Sequence, residues 1–231
     1  RHTLKSIVGV TLLIELIGAV LLYHSWGDVA FTSERAKIFS SVFHSVSAFC
    51  NAGFSLFSEN LAVSGAAMNV QLNLVIASLI ILGGLGFIAI VNIVRARPLG
   101  KPGTRLRSRQ TAHTRLVLVT SVILIAAGMV FFYVIEYNNS LQSLSWWEKI
   151  LASFFQSVST RTAGFNTTDI GAMAVPSTLI FLLLMFIGAS PGSTGGGIKT
   201  TTAALVFLSA MNYVRGKKSV NIARRSVQPH S

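Results

Sequence analysis

Long apolar runs alternate with short ones along this chain, and the order long, short, long occurs twice. The first set is "SIVGVTLLIELIGAVLLYHSW" (6–26), "AKIFSSVFHSVSAF" (36–49) and "VQLNLVIASLIILGGLGFIAIVNIV" (70–94). The second is "LVLVTSVILIAAGMVFFYVI" (116–135), "SWWEKILASFFQSVS" (145–159) and a return that begins at Val175 with "VPSTLIFLLLMFIG". A membrane-spanning helix needs about 20 mostly apolar residues. The long runs are therefore predicted to cross, with Tyr23 and Trp26 at the far interface. The runs 36–49 and 145–159 are apolar on one face and too short to cross.

A sequence repeat follows each short run. The first copy reads "SVSAFCNAGF" (45–54) and the second "SVSTRTAGF" (157–165), sharing S-V-S and A-G-F with one residue's difference between them. Such internal repetition is weighed before other signals. A segment too short to cross must turn back, and non-helical backbone at membrane depth survives only where it is buried in protein or lines a water-filled cavity. The A-G-F stretches are thus predicted to be extended loops lining a pathway. Gly53 and Gly164 allow backbone angles closed to other residues, and successive carbonyl oxygens can replace a cation's hydration shell. The short helices would aim their partially negative ends the same way. A single copy reads equally as a tight turn between helices; the repeated frame favours the pathway.

Composition and charge support this frame. Apolar residues make up 52% and charged residues 11%, with a mean hydropathy of +0.63; soluble domains carry about 25% charged residues. The net charge is +12, which would suit nucleic acid if its positions did not say otherwise. Basic residues collect at Arg1 and Lys5, at Arg95, Arg97, Lys101, Arg105, Arg107, Arg109 and Arg115, and at Arg215, Lys217, Lys218, Arg224 and Arg225. Asp28, Glu34, Glu59, Glu136, Glu148 and Asp169 lie in the intervening stretches. That segregation follows the positive-inside rule and argues against a nucleic-acid partner. The lone cysteine, Cys50, says nothing about compartment. The chain begins at Arg1 without a signal peptide and reads as the later part of a longer one. It shows no metal-ligand spacing, no nucleophile with a base and no paired carboxylates, so it is not expected to be an enzyme.

The stretch "GASPGSTGGGIKTTT" (188–202) resembles a phosphate-binding loop, but Ile198 stands where that pattern needs lysine, Lys199 comes one residue late, and an apolar helix rather than a strand precedes it. A deliberately broken membrane helix fits better. Pro191 withholds a backbone donor, the glycines loosen the turn, and Ser193, Thr194, Thr200, Thr201 and Thr202 can satisfy the freed groups. Lys199 is costly at membrane depth, where charges usually face a cavity and serve function; the rival role is a lysine snorkelling to the interface.

On "FHSVSAFCNAGFS", "VSTRTAGFNTTD", "LGGLGF" and "GASPGSTGGGIKTTT" the chain resembles the Trk/Ktr/HKT superfamily of potassium transporters, and most the KtrB-type membrane subunit, over nearly its whole length. The resemblance implies an all-α integral membrane fold of repeated helix–pore-helix/filter–helix units, four around one pore. This chain would supply the third (1–94) and fourth (116–214), joined by a cytoplasmic basic loop (95–115) and ending in a cytoplasmic tail (215–231). The N-terminal half of the subunit would be missing. K+ would pass through backbone carbonyls of Cys50, Asn51, Ala52, Gly53 and Phe54, and of Thr162, Ala163, Gly164, Phe165 and Asn166. One glycine per unit implies weaker discrimination against sodium than in a true potassium channel. The resemblance also implies a gate below the filter, at Gly83, Gly84 and Gly86, with Lys199 as a barrier to cations. Three glycines in four positions favour an opening there, each costing a helix about 1 kcal/mol relative to alanine; close packing through small residues is the alternative.

As partners the resemblance implies a homodimer of full-length subunits on a cytoplasmic ring of nucleotide-binding regulatory subunits, in the plasma (inner) membrane, with Na+ as a candidate activator. The basic loop and tail are candidate docking surfaces. Arg161 resembles a structural brace that pairs with acid or carbonyl groups. Glu15, an acid inside a spanning run, has Arg161, Lys199 or water as alternative partners. His44 is expected to pack, and Asn51 to orient the filter through its amide. Rival readings are a two-unit potassium channel that dimerises to complete its pore, a secondary transporter built on broken helices, and a membrane enzyme.

Overall fold

A computed structural model describes residues 2–95, 112–215, 220–222 and 225–227. The expected docking loop and tail, 95–115 and 215–231, lie largely outside those residues. The described chain is built of helices: α1 (His2–Ser25), α2 (Glu34–Phe49), α3 (Val70–Leu85), α4 (Phe87–Arg95), α5 (Ala112–Glu136), α6 (Trp146–Ser159), α7 (Val175–Phe186) and α8 (Thr200–Val214). An antiparallel pair of strands, β1 (Val220–Ile222) and β2 (Arg225–Val227), lies in the tail and was not anticipated.

The starts of the helices are written locally. Ser33 caps α2 by accepting from the Ala36 N–H, and Asn69 caps α3 by accepting from Leu72. Ser145 and Glu148 form a reciprocal capping box on α6, whose Ser145 bonds hold the Glu148 carboxyl below its ordinary value. The start of α7 is capped from elsewhere. The buried Glu136, at the end of α5, accepts from the Ala174 N–H at 2.9 Å and from the Ser177 hydroxyl, and also from Asn139 and Ser140. One carboxylate thus closes the turn after α5 onto the head of α7.

Among the described residues two helices, α1 and α5, are long and apolar enough to cross a membrane, and their faces carry exposed Leu12, Leu16 and Val20, or Val122, Val130 and Val134. Aliphatic surface of that extent is a lipid or protein contact. The other two predicted spans are divided. The run 70–94 bends by 104° between α3 and α4, at Gly86. The return from Val175 is split into α7 and α8 by residues 187–199, which hold a parallel bridge between Ile187 and Ile198. Pro191 and the glycines of that segment account for the interruption.

The duplicated S-V-S has a duplicated role. Ser45 donates to the carbonyl of Glu15 on α1, at 2.6 Å, and Ser157 donates to the carbonyl of Ile125 on α5, at 2.7 Å. Three residues beyond each acceptor stands a glycine. A Cβ at Gly18 would meet Ser45 Oγ at 2.4 Å and Leu79 at 2.8 Å; at Gly128 it would meet Ser157 Oγ at 2.4 Å and Leu184 at 2.8 Å. Each short helix therefore lies in a notch on the preceding long helix, and only glycine leaves room for it. The core joins both copies: Leu22, Trp26, Leu61, Leu72 and Ile76 pack with Phe155, Val158 and Phe165.

Candidate functional site

The two A-G-F segments share an unusual backbone. Asn51 and Gly53 have φ of 51° and 70°, and Thr162 and Gly164 have 72° and 87°. In each copy a left-handed residue, an alanine and a left-handed glycine follow in order. Left-handed backbone is uncommon and strained outside glycine, and persists where the surroundings enforce it. Alternating hand along a strand turns successive carbonyls towards one side instead of opposite sides. That is the arrangement with which main chain replaces a cation's water.

The anchors match as well. The Ala52 N–H donates to the Ser47 carbonyl and the Ala163 N–H to the Ser159 carbonyl. The Ser47 hydroxyl donates to the Phe54 carbonyl at 2.8 Å, and Ser159 donates to Phe165. The one-residue difference in spacing is absorbed at the turn leaving each short helix. The segments lie side by side: a Cβ at Gly53 would reach within 2.2 Å of the Ala163 carbonyl oxygen, and one at Gly164 within 3.5 Å of the Gly53 Cα.

Asn60, itself at a φ of 57°, links the two segments. Its Nδ2 donates to the Gly53 carbonyl at 3.2 Å, and its Oδ1 accepts from Leu61 N–H and, at 3.4 Å, from Asn166 N–H. The Leu61 N–H also donates to the Asn166 carbonyl. The carbonyls of Gly53, Phe54, Phe165 and Asn166 thus have internal donors. Among the described residues no donor is bonded to those of Cys50, Asn51, Ala52, Thr162, Ala163 and Gly164. The copies differ at their aromatic ends, since Phe165 is 1% exposed beside His44 and Phe54 is 69% exposed.

His44 packs, as expected. It is buried between Trp26 and Phe57, its Nδ1 donates to the Ser40 carbonyl, and its Nε2 then accepts from the Ser55 hydroxyl.

Beneath these segments the two interruptions interlock. The Ser190 N–H donates to the Gly84 carbonyl, Thr194 N–H to Gly83, and Phe87 N–H to Gly192. A Cβ at Gly83 would sit 1.9 Å from the Phe49 carbonyl oxygen, and one at Gly86 would sit 2.7 Å from that of Pro191. Gly86 is left-handed as well, at φ 81°. At Gly84 the nearest atoms are 3.9 Å away. The expected gate glycines are thus of different kinds. Gly195 lies against the first left-handed residue of each segment, because a Cβ there would come to 2.6 Å from Thr162 Oγ1 and 3.7 Å from Asn51 Nδ2. Lys199 folds back, its ammonium donating to the Gly195 carbonyl at 2.8 Å.

Two charged residues were given only candidate partners by the sequence. Glu15 lies neither against Arg161 nor against Lys199; its carboxylate is met by the Cys50 thiol at 3.9 Å. Arg161 is buried beside Ile80, Ile81, Gly84 and Ala189, and its Nε has no hydrogen-bond partner. Residues that sequence reasoning passed over include Asn60, Gly195 and the paired glycines Gly18 and Gly128. Gly195 stood inside the 188–202 motif already in view, and Thr194 beside it was expected only to satisfy backbone groups freed by the break.

Comparison with known proteins follows the same lines. The family described as "TrkH: Cation transport protein" matches residues 1–230. The chain is 38% identical over 229 residues to the Ktr system potassium uptake protein B of Vibrio alginolyticus, covering 98% of this chain and 48% of that protein. It is 40% identical over 217 residues to the protein of the same name from Bacillus subtilis, covering 93% and 46%. It is 34% identical over 219 residues to the potassium/sodium uptake protein NtpJ of Enterococcus hirae, covering 93% and 45%. The chain spans about half the length of these relatives. The crystal structure of the potassium transporter TrkH from Vibrio parahaemolyticus has the same fold, with a TM-score of 0.71 at 20% identity over 93% of this chain and 42% of that one.

Proposed function

The chain belongs to the TrkH family of cation transport proteins, and from that membership we propose that it forms half the lining of a potassium-uptake pore in the plasma membrane. The observation that carries the reading is the pair of left-handed, alanine, left-handed glycine triplets at 51–53 and 162–164, side by side at the ends of two matched short helices. K+ enters with its water replaced by main-chain oxygens, chiefly those of Cys50, Asn51, Ala52, Thr162, Ala163 and Gly164, which no donor among the described residues occupies. The carbonyl ends of α2 and α6 add negative potential. The remaining expected lining residues, Gly53, Phe54, Phe165 and Asn166, hold these segments in shape through their own hydrogen bonds.

Below lies the gate, where Gly83, Gly84 and Gly86 of one broken helix meet the 187–199 break of the other and Lys199 sets a positive charge against cation leak. The relatives' names support potassium as cargo and sodium as an accompanying ion. The four-unit pore would be completed by an N-terminal half of the same subunit. The full-length subunit would pair as a homodimer and dock on a ring of nucleotide-binding regulatory subunits, with the basic loop 95–115 and the tail 215–231 as docking surfaces. The experiment is potassium-dependent growth of an uptake-deficient strain carrying the full-length protein, with Gly53→Ser and Gly164→Ser beside the wild type. Growth rescue by the wild type and its loss, or a loss of K+/Na+ discrimination, in the glycine variants is expected. Wild-type selectivity in both variants would remove the filter assignment.

A further inference from the structure

Thr194 occupies a junction between the two interruptions and the first candidate filter segment. Its hydroxyl accepts from Asn51 Nδ2 at 2.9 Å and donates to the Phe49 carbonyl at 2.9 Å, while its N–H donates to the Gly83 carbonyl. A hydroxyl gives one hydrogen and offers two lone pairs, so these bonds use its donor and one acceptor. Phe49 is the last residue of α2, and its carbonyl is among those left without a partner inside the helix. Asn51 is a left-handed residue of the first candidate filter segment, and its Oδ1 is buried without a partner. Its amide is therefore fixed from the Thr194 side alone. The tie exists in one copy only. The residue matching Asn51 in the second segment is Thr162, whose buried Oγ1 has no partner. The break between α7 and α8 is thus fastened to the filter segment of the other repeat, at the same point where it is fastened to the break between α3 and α4.

We propose that Thr194 is a positioning residue that couples the interlocked breaks to the first filter segment, so that displacement of residues 187–199 alters ion discrimination as well as flow. The inference rests on the potassium-pore reading. When 187–199 moves, Thr194 withdraws from the Phe49 carbonyl and from Asn51 together, and the left-handed turn at Asn51 loses its lateral support. With the breaks interlocked, that turn stays fixed and its carbonyls keep their spacing.

The test uses the full-length transporter in liposomes, measuring Rb+ uptake against competing Na+. Thr194→Val keeps the branched shape and removes the hydroxyl; loss of one hydrogen bond predicts a fall in Rb+/Na+ discrimination of about threefold to tenfold. Thr194→Ser restores the hydroxyl and the wild-type ratio. Asn51→Gly, which keeps the left-handed backbone and removes the amide, lowers the ratio similarly, and the Asn51→Gly/Thr194→Val pair falls no further than either single change, because both cut the same link. Ser193→Ala, next door, whose hydroxyl has no partner, leaves the ratio alone. A wild-type ratio in Thr194→Val, or multiplying losses in the pair, would overturn the coupling while leaving potassium transport standing. A wild-type protein that carries no Rb+ would overturn both.

Discussion

Asn60 donates to the carbonyl of Gly53 while its own oxygen accepts from Asn166, so one side chain spans the two copies of the repeat. The bridge is main chain to side chain to main chain, and it lies immediately after the carbonyls proposed to hold potassium. It also needs a left-handed backbone at Asn60 itself. Asparagine is among the few residues other than glycine that visit that region readily. Asn60→Gly should keep the backbone and lose the bridge, whereas Asn60→Ala should lose both. Rb+/Na+ uptake ratios are expected to fall in both variants, with detergent-solubilised Asn60→Ala also melting at lower temperature than Asn60→Gly. Equal melting of the two would show that the left-handed turn carries no strain.

The glycine notches offer a cleaner test of packing. A methyl group at Gly18 or Gly128 would overlap a serine oxygen and a leucine methyl in the same arrangement. Overpacking of this kind costs about 1–3 kcal/mol. Gly18→Ala and Gly128→Ala should each lower the thermal midpoint of the full-length protein, and by comparable amounts. Gly9→Ala, on the same helix as Gly18 and with nothing within 4 Å, should not. A midpoint for Gly128→Ala equal to that of Gly9→Ala would break the structural equivalence of the two repeats.

How far the sequence reaches is visible in these glycines. The long and short runs, the doubled A-G-F and the broken helix at Pro191 are local patterns, and each was legible because periodicity, run length and proline act on near neighbours. S-V-S was legible as a repeat but not as a device, because its partners, Glu15 and Ile125, lie 30 and 32 residues away. Gly18 and Gly128 stand in runs where glycine is unremarkable. Asn60 is an ordinary loop asparagine until folding brings it under Asn166, 106 positions later. Glu15 was left open between a cation and water, and its place on α1 brings its carboxylate to the Cys50 thiol. Long-range geometry, not residue type, chose the partner.

The candidate gate glycines can be separated by substitution. Gly83→Ala places a methyl against the Phe49 carbonyl, and Gly86→Ala forces both a left-handed alanine and a contact with Pro191. Gly84→Ala meets ordinary contact distances. Uptake by the full-length transporter should therefore change strongly in the first two and little in the third. Because the overlap at Gly83 is with the end of α2, its variant should also disturb ion discrimination, whereas Gly86→Ala should chiefly alter rate. Comparable uptake in all three variants would mean that the break tolerates rearrangement and that its geometry is not what governs flow.

Lys199 gives the last prediction. Its ammonium is bound to the Gly195 carbonyl, and Gly195 sits against Thr162 and Asn51, so the charge lies within the break and below both segments. On the proposed pore reading, a cation approaching that position would meet a positive charge at a part-buried site, where Coulomb repulsion is stronger than in bulk water. Lys199→Gln keeps a donor able to reach the Gly195 carbonyl and removes the charge; Lys199→Ala removes both. If the charge is the barrier, the two variants should raise uptake under conditions in which the wild type is closed, and by similar factors. If the hydrogen bond merely pins the loop, Lys199→Ala should leak and Lys199→Gln should not. Lys199→Arg retains charge and donor and is expected to stay closed, so the series separates electrostatic blockade from mechanical bracing with a single flux assay.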